Sequence, residues 1–186
     1  MVKTHKLKVE PMTDESFAPF GQLIDIKDRP ADERIISPLA YHADGKTTLS
    51  ALWQPFQGRT FFQLERHFGV TQSFIQLGGA PAVVAVAEPT DPDDQLAVPH
   101  PDQVRAFLID PEKGFSFRVG TWHSLHRYVL APPGATFAVI NSDPNPSQVV
   151  DYQDNYSLAF TDLEIDQNPV RVDLREKFGL IFELSL

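Results

Sequence analysis

A carboxylate, an imidazole and a carboxamide stand close together in LERHFGVTQSFIQLGG, as Glu65, His67 and Gln72, and a second imidazole, His123, follows in the later run GTWH. Alternate residues of a strand point to the same side, so a strand through Gln63, Glu65 and His67 turns these three to one face and leaves Phe62, Leu64 and Phe68 on the other. Phe68-Gly69-Val70-Thr71 reads as a hairpin loop with a glycine available for positive φ, which would set His67 opposite Gln72 and Glu65 opposite Phe74. Carboxylate oxygen, imidazole nitrogen and amide oxygen together suit a borderline divalent cation such as Mn, Fe, Co, Ni or Zn. A half-solvated antiparallel hairpin shows the same alternation of polar and apolar residues. The convergence of three different donors on one face is what favours a metal site.

The rest of the site is expected from GFSFRVGTWHSLHRY. Phe115, Phe117 and Val119 alternate with Ser116, Arg118 and Gly120, and a turn at Gly120-Thr121 then delivers Trp122 and His123. Glycine permits the sharp change of direction that would aim His123 as a fourth ligand. Trp122 supplies buried area first. His126 shares a face with Tyr128 by alternation, and is either an acid or base beside the metal or a residue of the barrel rim. Glu65, if it is not consumed as a ligand, and His126 are the two candidates for the general base, and the sequence does not choose between them. Arg105 and Arg118 are the candidate anchors for an anionic substrate, because a guanidinium fork can hold a carboxylate bidentately. Arg66 has the opposite parity to Glu65 and reads as structural.

The elements that must position these residues are short. The chain of 186 residues, 42% hydrophobic and 22% charged, has the length and core material of one globular domain over residues 1–186. Its 16 prolines and 10 glycines break the apolar stretches into strand-sized pieces, so an all-β fold is expected. Thr13-Asp14-Glu15-Ser16-Phe17 reads as a capped short helix. Strands are expected at residues 6–9, 22–26, 48–53, 60–67, 72–77, 82–87, 104–109, 115–119, 126–130, 136–141 and 157–160, a spacing that suits an antiparallel sandwich or barrel. The acidic, proline-rich segment Glu88–Asp102 is a long loop, either a lid or a plain connection. Asn141–Asn155 reads as a second loop.

Charge and composition exclude several classes. A net charge of −9 opposes binding to a phosphate backbone. No cysteine is present, so disulfides and thiolate chemistry are out. The N-terminus has no apolar core of a signal peptide, and the longest apolar run, Ala82–Ala87, is too short to span a bilayer, so a cytoplasmic protein is expected.

The spacing from Glu65 and His67 through Gln72 to Gly79, with Gly120 and His123 later, resembles the two cupin motifs, with Glu in place of the first His and Gln in place of the usual Glu. More narrowly, LERHFGVTQSFIQL, PDQVRAF and GFSFRVGTWH, in this order, resemble the ureidoglycolate lyase family. The resemblance implies a double-stranded β-helix (cupin) barrel with a few short helices and a homodimer. It further implies a divalent metal (Ni, Mn, Fe or Zn) and cleavage of (S)-ureidoglycolate to glyoxylate and urea in allantoin catabolism. Glu65, Arg66, His67, Gln72, Arg105, Trp122 and His123 stand at the family's motif positions, and Trp122 joins Arg105 and Arg118 as an expected substrate contact. The chain departs from the pattern at Phe68, at Ser124-Leu125 and past Asn141, which leaves open a cupin enzyme acting on another small hydroxy or keto acid, or a cupin that only binds one.

Overall fold

The computed structural model describes residues 2–186 as an all-β, cupin-like fold. Its strands, in chain order, are β1 (Lys3–Pro11), β2 (Gly21–Ile24), β3 (Lys46–Pro55), β4 (Thr60–Phe61), β5 (Gln63–His67), β6 (Ser73–Gly79), β7 (Ala82–Ala87) and β8 (Arg105–Leu108), then β9 (Gly114–Phe117), β10 (Trp122–Ser124), β11 (Tyr128–Val129), β12 (Gly134–Asp143), β13 (Ser147–Asp151), β14 (Tyr156–Phe160), β15 (Val170–Asp173) and β16 (Leu180–Ser185). The one α-helix among the described residues, α1 (Asp14–Phe17), begins where expected. Thr13 caps it reciprocally with Ser16, so that each side chain satisfies the other's backbone N–H.

The strands form two sheets. The larger runs β15-β14-β13-β5-β10-β7-β8-β1-β16-β4, with β11 added alongside β7, and the smaller runs β2-β9-β6-β12-β3. Val84, Val86 and Phe107 of the large sheet pack with Phe74, Phe115, Phe117 and Phe137 of the small one, and Phe17 of α1 plugs one end. The other face of the large sheet buries Val83, Ala85, Ala87 and Trp122 against Leu180, Phe182 and Tyr152. Every residue of β7 is therefore fully buried. That is why AVVAVA is a continuous apolar run, for a strand covered on both faces has no solvent side.

Two expectations fail here. β5 and β6 are not a hairpin: β5 pairs with β10 and β13 in the large sheet, while β6 pairs with β9 and β12 in the small one. His67 accordingly faces Ser147, and Glu65 faces His123 and Val149. The segment between them is a crossing from one sheet to the other. Asn141–Asn155 is not a loop either, because the run SQVVD in its centre is β13, paired on both sides. The flanking Pro, Asn and Asp residues mask a strand whose partners lie far away in the chain.

The Glu88–Asp102 segment packs on the far face of the large sheet. Arg66, fully buried, donates to the carbonyls of Thr90 and Asp91 and to Gln148 Oε1. The Tyr152 hydroxyl donates to Pro99 O at 2.8 Å, and Trp122 Nε1 donates to Thr90 Oγ1 at 3.0 Å. The segment is thus a pinned cover over the outer core, and Arg66 has the structural role its parity indicates.

Candidate active site

Three neighbouring strands of the large sheet build the site. Directly opposed residues of an antiparallel pair share a face, so Val149, Glu65 and His123 form one row across β13, β5 and β10, with Ser147 and His67 in the next. Gly120, at φ +80°, makes the turn into β10, and its N–H donates to the carbonyl of His67 at 2.9 Å. The turn is tied to the strand that carries the other imidazole. Gln72 ends the crossing segment, where its carbonyl accepts from Phe117 N–H at 2.9 Å.

Glu65, His67 and His123 offer ligand atoms that all lie within 4.8 Å of one another, and all three residues are buried. The Nδ1 of His67 lies 2.7 Å from Ser147 Oγ, whose own proton goes to the carbonyl of Asn145 at 2.8 Å. The hydroxyl must then accept from His67, which puts the proton on Nδ1 and leaves Nε2 a free lone pair. The Nδ1 of His123 lies 3.2 Å from Ser124 O, which can only accept, so its Nε2 is also a lone pair. Both Nε2 atoms and Gln72 Oε1 are buried without a partner. Acceptors left without a donor beside a carboxylate are what a cation completes, so the donor set fits a divalent metal, with Gln72 close enough to His67 to act on its titration.

Electrostatics agree. Burial pushes the Glu65 carboxyl up to about 7, with Arg127 opposing and Glu164 adding to the shift. Burial first, then Arg127, pulls His67 down to about 3 and His123 well below its ordinary value. Both imidazoles are neutral at physiological pH, as ligands must be. Phe117 stacks on His123 at 4.4 Å between ring centroids and holds the ring's orientation.

Glu65, His67 and Gln72 open into a cavity of about 620 Å³, with His123 buried behind them. Glu65, His67, Gln72, Phe74 and Arg127 line it from within, Ser50, Leu52 and Val139 from the small sheet, and Asp162, Leu163, Glu164 and Ile165 from the segment between β14 and β15.

Of the residues expected at the site, Glu65, His67, Gln72 and His123 come together. The others do not. His126 lies in the bend between β10 and β11 and faces a separate small pocket with Gln57, Phe62 and Tyr128. Arg105 is engaged by Glu10, with Nε and Nη2 at 3.0 and 2.9 Å from its two carboxylate oxygens, and borders another pocket. Arg118 is exposed, and Trp122 belongs to the outer core. Sequence reasoning missed Arg127 and Ser147. No periodicity points to Arg127, because it stands in the bend between β10 and β11, where strand alternation does not apply.

Two curled sheets that gather two imidazoles, a carboxylate and a carboxamide at their common mouth define a cupin-like β protein with a buried donor centre. Residues 4–159 match the Ureidoglycolate lyase family, and the chain belongs to it. It is 35% identical over 153 residues to the ureidoglycolate lyase of Rhodobacter capsulatus, covering 73% of this chain and 86% of the relative. Identity to the ureidoglycolate lyase of Azotobacter vinelandii is 34% over 131 residues, covering 63% and 74%. For that of Brucella melitensis biotype 2 it is 31% over 160 residues, covering 78% and 88%. No described helix is long and apolar enough to cross a membrane.

Proposed function

We propose that this chain is a metal-dependent lyase that cleaves (S)-ureidoglycolate to glyoxylate and urea, as part of allantoin catabolism in the cytoplasm. The observation that carries the reading is the set of orphaned acceptors beside Glu65 at the floor of the cavity, in a chain of this family.

The reaction is an elimination that consumes no water. The hydroxyl proton leaves, the carbon–oxygen bond becomes a carbonyl, the carbon–nitrogen bond breaks, and the departing nitrogen gains a proton to give neutral urea. Glu65, His67, Gln72 and His123 would hold the ion; Ni, Mn, Fe and Zn all suit such donors. When bound, it would supply Lewis acidity toward the substrate oxygens. Of the two expected bases, Glu65 stays in the reading because it lines the cavity, and His126 leaves it because it faces another pocket. Glu65 serves as base only through a carboxylate oxygen that the ion would leave free, accepting the hydroxyl proton there and returning it to the leaving nitrogen. The apolar walls of Phe74, Val139 and the partly buried Leu52 limit the poses a substrate can take beside these residues.

The same reading makes the protein a homodimer. The outer face of the small sheet exposes Leu49 and Trp53 at 75% and 53%, with Ile75 beside them across β12, and a contiguous apolar face of this kind marks an interaction surface.

The deciding assay incubates the protein with racemic ureidoglycolate and Ni or Mn, and follows glyoxylate, urea and ammonia separately. Urea equal to glyoxylate is the expected result. Ammonia without urea would instead mean a hydrolase.

A further inference from the structure

Among the described residues that line the cavity, Arg127 is the only Arg or Lys. Its guanidinium is buried, and Nη2 donates to the carbonyls of Ser124 and Leu125 at 2.7 and 3.1 Å. Nε and Nη1 have no acceptor, and no carboxylate among the described residues forms an ion pair with it. Arg66 and Arg105, by contrast, are well supplied with acceptors. The ring of Phe74 lies 4.2 Å below the guanidinium, which holds the group in place without neutralising it.

A guanidinium buried with unused donors and no carboxylate in contact, only Glu65 acting on it through space, is costly, and an anion arriving through the cavity removes that cost. Asp143, Asp162 and Glu164 line the same cavity, so a carboxylate entering it is repelled from these residues and attracted at Arg127. We infer that Arg127 is the substrate-binding residue that receives the carboxylate of the anionic substrate, the role that neither Arg105 nor Arg118 is placed to fill. This rests on the lyase reading only for the identity of that substrate. A carboxylate held at Arg127 lies in the same cavity as Glu65, His67 and Gln72, which leaves the hydroxyl-bearing carbon to those residues.

The test compares two small probes on metal-replete protein, the anion glycolate and its neutral amide glycolamide, by calorimetry. In Arg127→Gln, the affinity for glycolate should fall at least about tenfold while that for glycolamide changes less than about twofold. Arg127→Lys, which keeps the charge and loses the fork, should retain part of the preference. Equal losses for both probes, or a wild type that does not prefer glycolate, would overturn the assignment. Should Arg127→Gln not fold, wild-type protein labelled with 15N-arginine answers the question, since glycolate must shift the Nε–H resonance that Arg127→Lys removes, and glycolamide must not. An unmoved resonance under saturating glycolate overturns the inference. The two readings fail separately. Turnover of ureidoglycolate with an unaltered probe preference in Arg127→Gln would sink this inference alone, and a glycolate preference present in the wild type and lost in Arg127→Gln, in a protein that does not turn over ureidoglycolate, would sink the lyase reading alone.

Discussion

His67 is oriented by a hydroxyl that has only one proton to give. Because Ser147 donates it to Asn145, the side of the hydroxyl that faces His67 can only accept, and the free lone pair of the imidazole is set at Nε2. Ser147→Ala should therefore weaken metal binding by about 10–100-fold while leaving the fold intact. Competition against a chelator measures it, and an unchanged affinity would show that the hydroxyl does not orient the ring. The pH dependence of metal uptake is set by a different side chain. In the metal-free protein Glu65 is raised to about 7, whereas His67 at about 3 and His123 well below its ordinary value are already neutral. Below pH 7, a metal must displace the Glu65 proton, so apparent affinity should fall as pH drops through 7, with about one proton released per ion at pH 6 and almost none at pH 9. Calorimetry in buffers of different ionisation heat counts that proton. The sign for stability is consistent: a carboxyl with a raised pKa contributes stability that is full below its ordinary 4.5 and is lost as pH rises through 7.

At the level of elements, the turn before β10 carries the strain that aims His123. Gly120 sits at φ +80°, where a side chain costs about 1–2 kcal/mol. Gly120→Ala should lower stability by that order and weaken metal binding with it, read from a denaturant melt beside a metal titration; a lower melt with unaltered metal affinity would mean that the turn does not position the ligand. Strand parity was enough to see that Glu65 and His67 share a face, because that property is local to β5. It could not see what β5 pairs with. A short connection serves equally for a hairpin and for a crossing between sheets, and the partners of β5 come from β10 and β13, far along the chain. Ser147 was illegible for the same reason, since its strand is framed by prolines and Asn residues that read as loop. Arg127 was illegible as well, because it sits in the bend between β10 and β11, where alternation fixes no orientation.

For the whole molecule, the middle of the large sheet is covered on both faces while the small sheet is left open on its outer one. If that open face is where two copies meet, Trp53→Glu should convert a dimer into a monomer, for a desolvated carboxylate has no partner there. Light scattering after size exclusion measures the mass; a wild-type monomer, or a variant that stays dimeric, would place the interface elsewhere or remove it. The cavity itself is made from two unequal stretches of chain. Its donors and Arg127 lie inside residues 4–159, the part shared with the family, whereas Asp162, Leu163, Glu164 and Ile165 lie beyond it in a connection between β14 and β15. Connections of this kind change length and sequence at little energetic cost. The machinery that breaks a bond and the wall that selects what enters are thus free to evolve at different rates, and members of one lineage can inherit the same chemistry while diverging in what they admit to it.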